Sequence, residues 1–306
     1  MSNLAQRVLV AAVAIPLALG IVWYGGLALA LLVAVAAVLG TRELFALAGK
    51  SGVRPLRGLG LFLAALAPLA TWLIAAAPSE FGTAVSGPMA GPLQALSLIP
   101  IWLLSQWPLA AALIPLLILA GVLWKRSPAD RPLEAAAVTV LGPLYCGVLP
   151  STLLVIRYSA GPGGSWPATW LVFFPLAVTW LCDTFAMWGG MLIGGAKMAP
   201  TVSPGKTKAG GIAGLVGGVV TAVVFVPLAL TPVGKGFPLA VAALMGLLLA
   251  ATAQVGDLAE SLFKREAGVK DSGTLIPGHG GVLDRLDSLY FVLPVATLLF
   301  RVFGVL

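Results

Sequence analysis

"FKREAGVKDSGTLIPGHGGVLDRLDS", Phe263 to Ser288, decides how this chain is read. On either side lie long runs of Ala, Leu, Val and Gly, yet here charge collects beside five glycines and the chain's single histidine, His279. Asp257 to Asp287 contains six acids and four bases, ten of the 29 charged residues (18 Lys and Arg plus 11 Asp and Glu). Such crowding in so apolar a chain asks for a chemical reason.

Composition names the surroundings. Of 306 residues, 59% are hydrophobic and 9% charged, with a mean hydropathy of +1.03. A soluble domain carries about 25% charged residues, so lipid is the natural solvent here. A span needs roughly 20 apolar residues to cross about 30 Å of hydrocarbon. Satisfying the backbone internally then favours helices. Apolar runs fall at 8–24, 27–48, 58–77, 93–124, 133–156, 168–195, 211–230, 237–254 and 282–306. The expected fold is therefore all-α, a polytopic membrane protein of about nine helices.

The net charge of +7 resides in loops between runs. With nine spans and the N-terminus inside, 15 of the 18 Lys and Arg fall on the cytoplasmic side, and Arg157, Lys235 and Arg301 fall outside. That asymmetry predicts N-in, C-out. The bases read as topology signals and phosphate contacts, and nothing argues for nucleic acid. Cys146 and Cys182 lie within apolar runs and match no metal spacing. Near Ala160 the character changes, dividing N-terminal membrane helices (1–165) from a C-terminal catalytic region with cytosolic loops (166–306).

Three pieces build the candidate site. In "GDLAESLFKR", Asp257, Glu260, Ser261 and Lys264 share one helical stripe where a span meets the cytoplasm. A solvated helix end explains such a stripe as well. Past it, Gly273, Pro277-Gly278 and Gly280-Gly281 break the helix into turns whose amides can cradle phosphate. Asp284, Asp287 and Ser288 then resume helical spacing. Clustered oxygen ligands with one histidine point to Mg²⁺ over Zn²⁺. His279 reads as a hydrogen bonder, structural or to phosphate, ahead of a general base. Asp183, inside "LAVTWLCDTFAMWGG", is a costly intramembrane carboxylate and so faces a polar cavity. After it, "KMAPTVSPGKTKAGG" supplies Ser203, Lys206, Thr207 and Lys208. Its Gly-Lys-Thr is no P-loop, because Pro200 stands where the first glycine is required. Acids, Mg²⁺ and phosphate-binding loops at a membrane suit phosphoryl or nucleotidyl transfer onto a lipid.

The block S-L-F-K-R-x4-K-D-S-G-x2-I-P-G-H-G-G-V-L-D-R-L-D-S, Ser261 to Ser288, closely resembles the signature of phosphatidate cytidylyltransferases (CDP-diacylglycerol synthases). "CDTFAMWGG" and "SPGKT" resemble that family more weakly, so the likeness runs from about Cys182 to the C-terminus. Lys208-Ala209 and Ala186-Met187 depart from its usual pattern. The resemblance implies transfer of the cytidylyl group of CTP to phosphatidate with Mg²⁺, one ion or two, at a bacterial inner membrane, facing the cytoplasm. It matches Asp257 and Asp284 to metal-binding aspartates, with Asp287, Asp271 and Asp183 as supports. Lys264, Arg265, Lys270 and Arg285, with Ser203, Lys206 and Thr207, become candidates for the phosphates of CTP or lipid, and Ser261 and His279 for substrate contacts. CTP, phosphatidate and membrane lipids are the expected partners, and a homo-oligomer is compatible with all of this. Two other readings stay open: a related CTP-dependent enzyme acting on an ether-lipid phosphate or polyprenol, and a secondary transporter.

Overall fold

The computed structural model describes residues 16–80, 106–159, 165–275 and 280–306. It is a helical bundle, as the composition requires. Helix α1 covers residues 16–24 and turns at Gly25 and Gly26 into α2 (Gly26–Lys50). Next come α3 (Arg57–Glu80), α4 (Trp107–Lys125), α5 (Pro132–Pro143) and α6 (Leu149–Ser159). After them stand α7 (Trp166–Ile193), α8 (Lys208–Phe225), α9 (Leu239–Glu266) and α10 (Leu283–Val302).

Among the described residues, six segments are long and apolar enough to cross a membrane: Gly26–Lys50, Arg57–Ala76, Pro132–Ser159, Trp166–Ile193, Lys208–Val233 and Leu239–Glu266. The expected nine included runs at 8–24 and 93–124, which lie partly outside the described residues. The last expected run forms α10, 20 residues long, with Asp284, Arg285 and Asp287 near its start.

Two spans continue through a widened π turn, at Leu144–Val148 and Val226–Leu230. The cause is shared. Leu149 and Thr231 each precede a proline and donate five residues back, to the Leu144 and Val226 carbonyls. Pro150 and Pro232 have no N–H to continue the regular pattern, so the turn opens instead of breaking.

Packing in the C-terminal half depends on small residues. Helix α8 lies against α7 and α9 along Gly210, Gly214, Gly217 and Gly218. A Cβ at Gly210 would stand 2.6 Å from the Ala186 carbonyl oxygen, so only glycine admits this approach. In lipid, where no hydrophobic effect draws helices together, such close backbone contact is a main source of cohesion. A larger core of Leu154, Phe174, Met245, Leu249, Leu293 and Phe300 joins α6, α7, α9 and α10.

The all-helical expectation is modified by one two-stranded antiparallel ribbon. β1 (Lys197–Ala199) pairs with β2 (Ser203–Thr207) in the segment expected to be a loop. Arg157 takes a role that its place between apolar runs did not suggest. Expected as a base outside the membrane, it lies in the last turn of α6 with 0% exposure. Its Nε and Nη2 donate to the Val22 and Trp23 carbonyls, both at 2.8 Å. Carbonyls ending a helix lack intrahelical partners, and Arg157 serves those of α1. It is an internal clamp.

Candidate active site

The C-terminal parts of α7 and α9, the starts of α8 and α10 and the ribbon line a cavity of about 500 Å³, a size suited to a small-molecule ligand. Asp183 from α7, Lys206 and Thr207 from β2, Asp257 from α9, and Asp284 and Asp287 from α10 line it. Asp183 reaches the cavity because α7 runs ten residues further, to Ile193, exposing Ala186, Met187 and Gly190 on the same face. Thr207 caps α8, its side-chain oxygen accepting from the Gly210 amide at 3.0 Å. Gln254 ties α9 to α8 by donating to the Gly211 carbonyl at 2.9 Å. The stripe expected on α9 forms: Ser261 Oγ donates to Asp257 Oδ1 at 3.4 Å, and Lys264 is ion-paired with Glu260 one turn earlier.

The two lysines do different work. Lys206 Nζ lies 2.5 Å from Asp257 Oδ2, both side chains partly open to the cavity. Lys264 is buried between Glu260, which is 0% exposed, and Asp284 Oδ1 at 2.8 Å. Removing such a buried ammonium group would leave carboxylates without their counter-charge, so its first task is structural.

Asp284 is the most heavily bonded of the acids. Besides Lys264, its Oδ2 accepts from the Ser272 amide at 2.9 Å, the Ser272 hydroxyl at 2.9 Å and the Gly281 amide at 2.8 Å. The loop amides expected to cradle phosphate are, at these positions, turned onto protein carboxylates. Two more, from Val282 and Leu283, donate to Glu43 at 3.1 and 2.8 Å.

Glu43 is the residue that the sequence reading missed. It lies on α2, buried, and its Oε2 stands 3.0 Å from the Ser272 hydroxyl, whose single proton it shares with Asp284. It thereby caps α10, where first-turn amides have no intrahelical acceptor and the helix dipole favours an anion. Gly281 is required beside it, since a Cβ there would overlap the Glu43 carboxylate. A signal existed: a carboxylate inside the apolar run 27–48 is as costly as Asp183, and the same reasoning finds it.

The remaining expected site residues are dispersed. Arg265 is exposed and donates to the Val202 and Val269 carbonyls at 3.0 and 2.7 Å, joining the ribbon to the following loop. Ser203 pairs with Ala199 across the ribbon. Lys270, Asp271 and Arg285 are exposed and do not line the cavity. His279 lies outside the described residues.

A sequence model for the cytidylyltransferase family matches residues 5–303. This chain belongs to that family. Among curated relatives, it is similar to a protein of Brucella abortus named phosphatidate cytidylyltransferase, 38% identical over 180 residues, covering 51% of this chain and 63% of the relative. Proteins of the same name from Haemophilus influenzae and Staphylococcus saprophyticus are 35% and 41% identical. Those matches cover 66% and 42% of this chain, and 67% and 48% of the relatives. The chain thus spans between about half and two thirds of the length of these relatives.

A divalent cation fits the donor chemistry of the cavity. The lining has four carboxylates and one lysine, all its strong donors to a cation being oxygens. Among the described residues, no three His, Cys, Asp or Glu side chains converge on one metal position. One or two carboxylates completed by water and phosphate is the usual coordination of Mg²⁺, so the arrangement suits that ion.

Proposed function

We propose that this chain transfers the cytidylyl group of CTP to phosphatidate, forming CDP-diacylglycerol and releasing pyrophosphate. The observation that carries the reading is the cavity of Asp183, Asp257, Asp284, Asp287 and Lys206 at helix ends, in a chain of the cytidylyltransferase family. The names of the curated relatives supply the acceptor.

In this reaction a phosphatidate oxygen forms a bond to the α-phosphorus of CTP, and the bond from that phosphorus to the β-phosphate bridge oxygen breaks. A phosphate monoester is largely ionised at pH 7, its second pKa being about 6, so the nucleophile needs no strong base. The protein's work is to hold two anions together and to receive a developing pyrophosphate. Lys206 is the cation in the cavity best placed to meet phosphate, and Lys264 with Glu43 keeps Asp284 in position. Asp257 and Asp284, with Asp287 and Asp183 beside them, would hold Mg²⁺. When bound, the ion supplies charge neutralisation and polarisation of the phosphates.

The membrane arrangement belongs to the same proposal. Nine spans, N-in and C-out, bring the helix ends around the cavity to the cytosolic face of an inner membrane, where CTP is found. The concentration of bases in loops on that side supports it.

The test is incorporation of α-labelled CTP into lipid by purified protein. Phosphatidate with Mg²⁺ is expected to give labelled CDP-diacylglycerol, and excess EDTA to abolish it. Labelling of a polyprenol or an ether-lipid phosphate in preference to phosphatidate would change the acceptor. Failure with every acceptor would overturn the reading.

A further inference from the structure

A second cavity, of about 520 Å³, lies between the C-terminal end of α2, the start of α3 and the end of α4. Its charged lining is entirely cationic: Arg54, Arg57, Lys125 and Arg126. Glu43 on α2 bonds the start of α10, so this end of α2 faces the same end of the bundle as the acidic cavity. None of the four cations takes part in the acidic cavity.

The cavity is constructed, and its positive charge is poorly offset. Arg126 Nε and Nη2 donate to the Arg54 and Pro55 carbonyls at 2.9 and 3.2 Å, fixing the loop before α3 against the end of α4. These bonds spend its donors on neutral groups, and it makes no salt bridge among the described residues. Arg54 meets Asp130 only at 3.7 Å, with 74% of its own side chain exposed. The Ser127 amide and hydroxyl hold that Asp130 carboxyl below its ordinary range. Arg57 and Lys125 meet no acid among the described residues.

Lys125, ending α4, stands where a helix dipole welcomes a cation. Arg57 does not. It opens α3, whose first turn contains no acid, so its charge adds to the positive end of the dipole. Gly58 and Leu59 line the same cavity. The carbonyls four residues before them, of Arg54 and Pro55, are engaged by Arg126. Arg57, Lys125 and these first-turn amides all lack an anion among the described residues, and Arg54 has only its long contact with Asp130.

We propose that this cavity binds the phosphate group of an anion at the membrane border, independently of the catalytic cavity. Arg54, Arg57 and Lys125 supply the charge, and Arg126 holds the walls. Basic pockets between membrane helices are suited to anionic headgroups, and a soluble phosphate offers the same chemistry.

The experiment measures the unfolding temperature of the full chain in detergent. Dioleoylphosphatidylglycerol, dioleoylphosphatidylcholine and inorganic phosphate are added separately. A rise of several degrees with phosphatidylglycerol, absent with phosphatidylcholine, is expected and assigns the site to a lipid headgroup. An equal rise with inorganic phosphate assigns it to phosphate in general. The rise should fall by at least half in Arg57→Gln/Lys125→Gln and persist in Arg42→Gln, a cation of α2 outside the cavity. If the double variant does not fold, Lys125→Gln alone, at an exposed position, should still reduce it. A rise unchanged in these variants, or lost equally in Arg42→Gln, overturns the proposal, as does no rise in the parent protein.

Discussion

The molecule has two cavities of nearly equal volume, about 500 and 520 Å³, with opposite charge. Beside the acidic one, Glu43 and Lys264 are buried, and charge-assisted bonds join them to Asp284 and the start of α10 among α2, α9 and α10. The cations lining the basic one are largely exposed, and Arg126 among them is tied to carbonyls. Burial explains the difference. A buried carboxylate persists only when paired, so its partners can be traced outward from it. An exposed arginine is stable without any partner, and its role appears only from what surrounds it.

The largest effect that would sharpen this contrast is in the acidic cavity. Asp257→Asn and Asp284→Asn should each lower kcat by on the order of a hundredfold or more, the cost of losing a key electrostatic group. The double variant should lose little more, because both residues serve one site. Turnover of labelled CTP, alongside size-exclusion profiles in detergent, checks this. Modest, additive losses would mean that the two aspartates do not act together.

A smaller effect is expected at Glu43, which touches the site only through the loop it holds. Glu43→Gln replaces an anion receiving two backbone amides and a share of the Ser272 hydroxyl by a neutral amide. Bonds to charged groups contribute about 1.5–3 kcal/mol, so kcat should fall by roughly tenfold or somewhat more. Glu43→Asp should recover part of it, and KM for CTP should move less than kcat. A change confined to unfolding temperature would make Glu43 a helix cap and nothing more.

The smallest effect is expected at His279. General acid–base catalysis contributes about a hundredfold or more, and an ionised phosphate nucleophile does not need it. His279→Ala should therefore cost well under about a hundredfold and less than Asp284→Ala. An equal loss in the two folded variants would show that proton transfer, or an essential bond from this histidine, belongs to the mechanism.

Helical character was legible because apolar runs of span length have few other solutions in lipid. The stripe Asp257, Glu260, Ser261 and Lys264 was legible because helical periodicity places those residues on one face. The ribbon at 197–207 was not: Lys197 to Thr207 has Pro200 and Pro204, and its pairing depends on how α7 and α8 are joined. The division near residue 165 separates two compositions, but the bonds of Glu43 to Ser272, Val282 and Leu283 run across it.

By itself the sequence determined the solvent of this protein, the residue type of its chemistry and the family its motif resembles. Those follow from local facts: hydropathy, spacing, and the cost of charge in an apolar run. Tertiary structure alone decided which charges are paired. It turned Arg157 inward onto Val22 and Trp23, buried Lys264 between Glu260 and Asp284, and brought Glu43 over some 240 residues of chain to cap α10. The physical reason is that pairing energy depends on distance and desolvation, and both are set by the packing of helices far apart in sequence.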